Sequence, residues 1–304
     1  MNVELTQELC VDVAAALGLP HPGLVEKDFH VVRALAVLQG IEIEGARLVF
    51  GGGTSLCRAY RLIERMSEDV DLRIVSAKPL GKGGRKRFRQ AVTDGLLAAG
   101  FKFDPDNRAH LSAHDAGRTF VYNLPYVQVS RSVDSLRPGV KVEISSWPLQ
   151  RVSVPCTVAS FLAQARGDVA EVPKIQCVDV AETAVDKFVA LTRRIAEEQA
   201  DIDARDPSLL RHVYDLYRIR SSIDLDTVQQ MLPAIMESDR TTRGGRLPAY
   251  AENPKAVSLD ALRALSEDEG YAEAFSAFQR DMVYGTHVAL ADCLPVLHEY
   301  AALM

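Results

Sequence analysis

The sequence predicts an α/β fold, more narrowly α+β, divided into two domains. An apolar stretch, Leu48 to Phe50, is followed by a glycine turn and then by a helix-like segment. Residues 101–156 are strand-like and rich in turns, whereas the pattern that follows is helical nearly to the end. The 304 residues suffice for two cores. We place the domains at 1–178 and 179–304.

Composition limits the classes of function. A formal net charge of −6 and an isoelectric point near 5.7 argue against a nonspecific nucleic-acid binder and are compatible with a local basic groove. The five cysteines are widely spread and form no Cys-x-x-Cys, which argues against a disulfide framework or a zinc knuckle. No apolar run reaches the about 18 residues of a membrane span, and the acidic N-terminus is unlike a signal peptide. We therefore expect a cytoplasmic protein.

Two helices are predicted ahead of the glycine turn. The first covers Leu5 to Leu17 and ends at Gly18, and the second covers Pro22 to Leu38 with proline in its first turn. Three charged residues, Glu26, Lys27 and Asp28, fall early in the second helix. They have two interpretations, a solvated first turn whose acids interact with the helix dipole, or a role in a site.

The glycine turn comprises Gly51, Gly52 and Gly53. Glycines let the backbone approach a ligand or another backbone where a Cβ would collide. A helix that begins directly after them directs unpaired N–H groups at one spot and favours a phosphate there. Thr54 or Ser55 can cap this helix. The turn is therefore a candidate nucleotide-phosphate site.

Two acids, Asp69 and Asp71, share one side of the strand that follows, because strand side chains alternate between faces. Adjacent carboxylates repel unless a cation lies between them, and Mg²⁺ or Mn²⁺ is the hard cation that also binds nucleotide phosphates. Glu143, on a strand predicted over Val140 to Ser145, is the candidate third acid of a metal-assisted phosphoryl-transfer site. Its alternative interpretation is the polar face of a half-exposed strand.

A basic, glycine-started helix is predicted after the acidic strand. Its apolar side includes Phe88, Val92 and Leu96. Its first turns carry five cations at the end that the helix dipole disfavours: Lys82, Arg85, Lys86, Arg87 and Arg89. A surface that binds RNA phosphates and an ordinary solvated face both fit this pattern.

Several polar residues of the helical half have alternative interpretations. Lys187 flanks an apolar helix stripe, where a lysine either extends its amine into water or binds a phosphate. Arg211 and Asp215 are spaced for a surface pair, and His212 alone is more typical of a structural histidine. The segment Asp239 to Tyr250 is predicted as a basic loop.

The motifs together resemble one family. GGTSL, Tyr60, LIER and SEDVDL occur in that order, followed by VKVEISS, ETAVDKFVAL and RHVYDLYRI. This series resembles the AbiEii/AbiGii nucleotidyltransferase toxins, which include the MenT-like toxins, within the polymerase-β-type nucleotidyltransferase superfamily. One position departs from the pattern, because Gly51 stands where relatives often carry lysine.

The resemblance implies a fold and a set of site residues. The fold is a small mixed sheet with flanking helices, plus a helical C-terminal domain that closes a cleft. The implied catalytic residues are Asp69, Asp71, Lys187 and Asp215, and the implied metal ligands are Asp69, Asp71 and Glu143. The implied nucleotide-binding residues are Gly52, Gly53, Thr54, Ser55, Ser67 and Arg211.

The resemblance also implies an activity and partners. The expected activity is Mg²⁺- or Mn²⁺-dependent transfer of a nucleotide from an NTP to an RNA acceptor, the tRNA 3′ end, which would block translation. The expected partner is a cognate antitoxin protein. Ser67 is either a site of inhibitory phosphorylation or a serine that hydrogen-bonds at a strand start. Transfer to a protein hydroxyl and an inactive nucleotide-binding module remain as alternatives.

Overall fold

The computed structural model describes residues 4–131 and 136–304. The chain forms two compact units. Unit 1 comprises Met1–Arg61 and Met66–Val178, and unit 2 comprises Leu62–Arg65 and Asp179–Met304. A four-residue segment ahead of the acidic strand thus belongs to the unit formed by the C-terminal half.

Unit 1 contains both helices and strands. Its helices are α1 (Gln7–Leu17), α2 (Pro22–Leu38), α3 (Gly52–Thr54), α4 (Lys82–Ala98) and α5 (Phe161–Arg166), with a π-helical turn over Ser55–Ala59. Its strands are β1 (Glu42–Ile43), β2 (Ala46–Gly51), β3 (Asp69–Val75), β4 (Leu111–His114), β5 (Thr119–Leu124), β6 (Val140–Ser145), β7 (Val154–Val158) and β8 (Val172–Cys177).

The strands in the described part of unit 1 form one eight-stranded sheet. Its order is β4-β5-β6-β3-β2-β8-β7, and β1 pairs with β2. The pairs β3–β6 and β2–β8 are parallel, and the other pairs are antiparallel. The sheet is therefore mixed, which confirms the predicted fold class, and it is larger than the small sheet that was expected.

One face of the sheet is covered by α2 and α4. Val31 and Leu35 of α2 and Phe88 and Val92 of α4 are fully buried in the core that they share with the apolar face of the sheet. Burial alternates along β3, where Val70 and the next two even-numbered positions lie in the core. The opposite face of β3 is left to polar side chains.

The two N-terminal helices lie close to where they were predicted. Thr6 caps α1, and Gly18 ends it with a φ of 64° in the left-handed region. The second helix spans Pro22–Leu38, and the side chain of His21 accepts a hydrogen bond from the Gly23 N–H at its start. The solvated interpretation of its first turns is wrong, because Glu26, Lys27 and Asp28 are buried.

Unit 2 is helical. Its helices are α6 (Val180–Gln199), α7 (Arg211–Ile219), α8 (Leu225–Arg243), α9 (Pro248–Glu252), α10 (Pro254–Glu267), α11 (Glu269–Met282) and α12 (Leu290–Ala302). The loop predicted from Asp239 to Tyr250 is wrong, because α8 continues to Arg243 and a 3₁₀ turn leads into α9. Within residues 4–131 and 136–304, no helix is long and apolar enough to cross a bilayer.

Candidate active site

The glycine turn lies directly against the acidic strand. β2 ends at Gly51, and α3 begins at Gly52 with a φ of 71°. A Cβ built on Gly52 would lie 1.9 Å from Oδ2 of Asp71, so no side chain fits at this position. The glycines were predicted to let the backbone approach another group closely, and at Gly52 that group is the carboxylate of Asp71.

The hydroxyls that follow the turn do not cap the helix. Thr54 Oγ1 donates to the carbonyl oxygen of Asp69 and lies 2.9 Å from Ser67 Oγ, whereas Ser55 Oγ donates to the carbonyl oxygen of Gly52 at 2.9 Å. The predicted capping by Thr54 or Ser55 is wrong, because Gly51 holds the cap position without a side-chain bond. Both buried hydroxyls instead fix the turn, Thr54 by binding the start of the acidic strand.

Three carboxylates line the polar face of the sheet. Asp69 and Asp71 are two residues apart on β3, and the parallel register places Glu143 of β6 opposite Asp71. All three residues are half-buried, whereas their immediate neighbours on both strands are buried on the other face. One sheet face therefore presents three carboxylates, with the glycine turn beside Asp71.

Two cations pair with these carboxylates, and sequence reasoning had not assigned either to the site. Nη1 of Arg137 lies 2.9 and 3.2 Å from the two oxygens of Asp69. Nζ of Lys141 lies 2.9 Å from Oε2 of Glu143. Burial opposes the charged amine, but Glu143 and the two aspartates raise the pKa of Lys141 above its ordinary value. Lys141 could have been assigned to the site from the sequence, because it is two residues before Glu143 on the same strand and so shares its face. No pattern in the sequence indicates the contact between Arg137 and Asp69.

The donor set suits a hard divalent cation, because carboxylate oxygens are the ligands that Mg²⁺ and Mn²⁺ prefer. In the described residues, however, no three Asp, Glu, His or Cys side chains converge closely enough to hold one metal ion. Arg137 and Lys141 supply the counter-charge to Asp69 and Glu143 in this structure. The metal-ligand role of Asp69, Asp71 and Glu143 stays a prediction.

A buried network supports the acidic strand from α2. Lys27 is fully buried, and its amine donates to the carbonyl oxygens of Arg137 and Gly139 and lies 3.3 Å from the carboxylate of Glu68. Glu68 also accepts a hydrogen bond from the Arg137 backbone N–H at 2.8 Å. Glu68 directly precedes Asp69 in the chain. The network thus fixes the backbone of Arg137 and the start of β3 to the same helix.

Two further carboxylates of α2 bind backbone segments. Glu26 accepts hydrogen bonds from the N–H groups of Val129 and Ser130 at 2.7 and 2.8 Å. Asp28 pairs with Arg58 at 2.9 Å and accepts from the Phe161 N–H at 2.6 Å. Burial raises the pKa of Asp28 to about 6, although Arg58 and this N–H group oppose the shift. These contacts explain why a charged run is buried at the start of a helix.

Unit 2 contains a separate ionic cluster around Asp215. Its fully buried carboxylate accepts hydrogen bonds from Arg65 Nε and Nη2, both at 2.6 Å, and Lys187 Nζ lies 2.8 Å from it. Burial alone would raise the pKa of Asp215, but Arg65 and Lys187 hold it well below its ordinary range. The surface pair considered for Asp215 and the solvent-exposed amine considered for Lys187 are both wrong.

His212 completes this cluster. Its Nδ1 lies 3.4 Å from the amine of Lys187. Burial and the charge of Lys187 lower the pKa of His212 well below its ordinary value, so the ring is neutral and accepts from the amine. Sequence analysis gave Arg65 no individual role, although it is the last residue of the LIER motif, two residues before Ser67. The predicted roles of Lys187, Asp215 and Arg211 in catalysis or nucleotide binding stay predictions.

Comparisons with known proteins give a family match and a structural match. The family described as nucleotidyl transferase AbiEii toxin, type IV TA system, matches residues 36–296. A solved structure, MenT4, a nucleotidyltransferase toxin from Mycobacterium tuberculosis H37Rv, is similar with a TM-score of 0.59 and 19% identity. That match covers 99% of this chain and 89% of the MenT4 chain, and it shows a shared fold. A search of curated proteins gave no significant match. The chain belongs to the AbiEii family of nucleotidyltransferase toxins of type IV toxin–antitoxin systems.

Proposed function

We propose that the protein transfers a nucleotide from an NTP to an RNA acceptor, the 3′ end of tRNA, in a reaction that depends on Mg²⁺ or Mn²⁺. The observation that carries the proposal is the placement of Asp69, Asp71 and Glu143 on one sheet face with the glycine turn against Asp71. A protein that only binds a partner has no need for three carboxylates on one face. Membership of a nucleotidyltransferase toxin family supports the same reaction class.

In this proposal Asp69, Asp71 and Glu143 hold the divalent cation. A bound cation would neutralise phosphate charge and lower the pKa of an acceptor hydroxyl. Arg137 and Lys141 then release their carboxylates and become available to phosphate oxygens. Because Arg137 is 47% exposed at its side chain, it can leave Asp69 without unpacking the core.

The glycine turn is proposed to bind the NTP phosphates. In this proposal the backbone N–H groups of Gly52 and Gly53, which follow β2 beside Asp71, bind phosphate oxygens. Thr54 and Ser55 act by fixing the turn through their hydrogen bonds. Ser67, bonded to Thr54, extends this support. Catalysis would then rest on positioning and charge neutralisation.

Lys187 is proposed to bind nucleotide phosphates, and Asp215 is proposed to keep its amine charged and oriented. The 2.8 Å contact between them supports this division of roles. Arg211 is proposed as a further nucleotide contact. The proposed biological role is that of a growth-inhibiting toxin controlled by an antitoxin protein, as the family description implies.

The decisive experiment is label transfer. Purified protein is incubated with each [α-³²P]NTP, Mg²⁺ and total RNA, with and without EDTA. We expect labelled tRNA, and we expect loss of at least 100-fold in rate for Asp71→Asn, since one of the carboxylates that hold the cation is lost. Asp94→Asn, which alters an exposed acid on α4, is the matched control and should leave the rate unchanged.

A gel that resolves RNA from protein, together with an NTP-binding measurement, distinguishes the alternatives. Label that migrates with protein would support modification of a protein hydroxyl. Binding of NTP without transfer to any acceptor would support an inactive nucleotide-binding module. Undiminished transfer by Asp71→Asn would refute the role of the carboxylate face.

A further inference from the structure

The first turns of α4 line a cavity that the proposed reaction does not use. Its volume is about 710 Å³. Its lining includes four cationic side chains, together with Gly117 and Phe120: Lys82, Arg85, Lys86 and Arg89. These positions follow the i, i+3, i+4, i+7 spacing that places side chains on one helix face. We refer to this group as the α4 basic pocket.

The charge of the α4 basic pocket is not balanced within the described part of the chain. None of its four cations forms a salt bridge there, whereas neighbouring Arg87, outside the pocket, pairs with Glu44 at 2.6 Å. Like charges at this spacing repel, and cations near a helix N-terminus oppose the helix dipole. Both charge effects oppose this arrangement in the folded chain, whereas an anionic ligand would balance it.

The arginines are held in place ahead of any ligand. Arg85 donates to the carbonyl oxygens of Leu80 and Gly117 at 2.7 and 3.0 Å, and the guanidinium of Arg89 lies 5.7 Å from the ring centroid of Phe120. Lys82 and Lys86, which also line the pocket, are exposed. The pocket thus combines two oriented guanidinium groups with two exposed ammonium groups.

The length of the basic face argues for a polyanion. Positions 82 to 89 advance about 10 Å along the helix, at about 1.5 Å per residue. One phosphate cannot contact four cations spread over this distance, whereas successive phosphates of a polynucleotide can. Because the chain has a formal net charge of −6, an RNA substrate needs such a local basic surface.

The pocket lies on the opposite face of the sheet from the carboxylates. Phe88 and Val92 of α4 pack with Val70 and Leu72 in the core, and these strand residues alternate with Asp69 and Asp71. An RNA that engages both sites must therefore extend around the sheet. We propose that the α4 basic pocket binds backbone phosphates of the acceptor RNA away from its reacting end, so that the enzyme requires a long, structured acceptor.

This inference rests on the proposed RNA acceptor, but binding tests it separately from catalysis. Fluorescence anisotropy measures the binding of labelled tRNA by the wild type and by Lys82→Glu/Lys86→Glu across a salt series. We expect at least tenfold weaker binding and a salt slope smaller by about two, one for each lost phosphate contact. Glutamate in the first turns of α4 interacts favourably with the helix dipole, so the loss of tRNA binding would not result from unfolding of α4.

The matched control is Arg87→Glu/Lys102→Glu, which changes the net charge equally outside the pocket. It should bind tRNA within about twofold of the wild type, because counterion release follows direct phosphate contacts. Equal affinity and equal salt slope for the wild type and both variants would overturn the proposal. Competition by poly-glutamate that requires Lys82 and Lys86, without tRNA binding, would overturn it in favour of an acidic protein partner.

Label transfer then distinguishes the two proposals. The pocket variant should lose at least tenfold in kcat/KM with tRNA and retain its rate with the trinucleotide CCA. An equal loss with both acceptors would contradict binding away from the reacting end. Failure of the wild type to label any RNA, with pocket-dependent tRNA binding intact, would refute the proposed reaction and leave the pocket as an RNA site.

Discussion

At the residue scale, the backbone of Gly52 lies against the carboxylate of Asp71 in the candidate site. Two separate constraints act on Gly52: a φ of 71°, which costs any L-residue free energy, and a Cβ position 1.9 Å from Asp71 Oδ2. Gly45 has the first constraint alone, with a φ of 73° and open space within 4 Å of the position that a Cβ would take. The chain therefore supplies its own control for separating strain from collision.

Gly52→Ala should abolish nucleotide transfer, because Asp71 must move to admit the methyl group. Gly45→Ala should lower the unfolding free energy by about 1–2 kcal/mol, because alanine is strained in the left-handed backbone region, and the variant should keep its activity. Urea denaturation and label transfer on both variants provide the measurement. Equal effects of the two substitutions on unfolding free energy and on transfer rate would show that the contact between Gly52 and Asp71 is not required for activity.

Asp215 makes unit 2 sensitive to acid. Its pKa is lowered from 3.8 in the folded chain, so its pairing stabilises the fold above pH 3.8 and this contribution is lost as the pH falls further. Asp215→Asn should lose about 3–5 kcal/mol at neutral pH, because Arg65 and Lys187 remain buried without their anion.

The measurement is the melting temperature of the wild type and Asp215→Asn between pH 7 and pH 3. The gap between them should narrow only toward the acid end of this range. A difference in melting temperature that stays constant from pH 7 to pH 3 would mean that ion pairing does not lower the pKa of Asp215 in the folded chain.

At the element scale, α2 supports the site through buried charges instead of presenting a solvated turn. Lys27 joins Glu68 to the carbonyl oxygens of Arg137 and Gly139, so one helix sets the backbone on which Asp69 and its partner Arg137 lie. Burial lowers the pKa of Lys27, and the charge of Glu68 opposes this shift. Removing either member leaves the other buried without its partner.

Lys27→Met should therefore destabilise the protein by about 3–5 kcal/mol. The double variant Lys27→Met/Glu68→Gln should be less destabilised than the sum of the single variants, with a coupling of about 1 kcal/mol or more. Urea denaturation of the four proteins measures this cycle. Strict additivity would show that the two buried groups do not interact.

At the scale of the whole molecule, local sequence patterns predicted which face of a strand each side chain lies on. They did not predict which distant residues those side chains contact. Alternation in DVDLRIV and VKVEIS places Asp69, Asp71 and Glu143 on polar faces, as burial along β3 and β6 shows. The pairing of Asp71 with Glu143 joins segments about 70 residues apart, and nothing local encodes that register.

The errors have the same origin. Of the two interpretations of Lys27, the solvated turn is wrong, because its partners at Glu68 and Gly139 lie far along the chain. The composition of Asp239 to Tyr250 predicts a loop, whereas α8 continues to Arg243 and Asp239 pairs with Arg193 of α6 at 2.8 Å. Long-range contacts decided both outcomes.

The chain passes between the two units more than once, which limits where it can be cut into separate fragments. Residues 62–65 belong to unit 2 but interrupt the sequence of unit 1, so three peptide connections join the units. A cut after residue 178 would leave Arg65 on the wrong fragment and deprive Asp215 of its two 2.6 Å hydrogen bonds. The C-terminal helices are thus not an autonomous module that evolution or an experimenter could exchange alone, because their buried anion depends on a cation encoded between the glycine turn and the acidic strand.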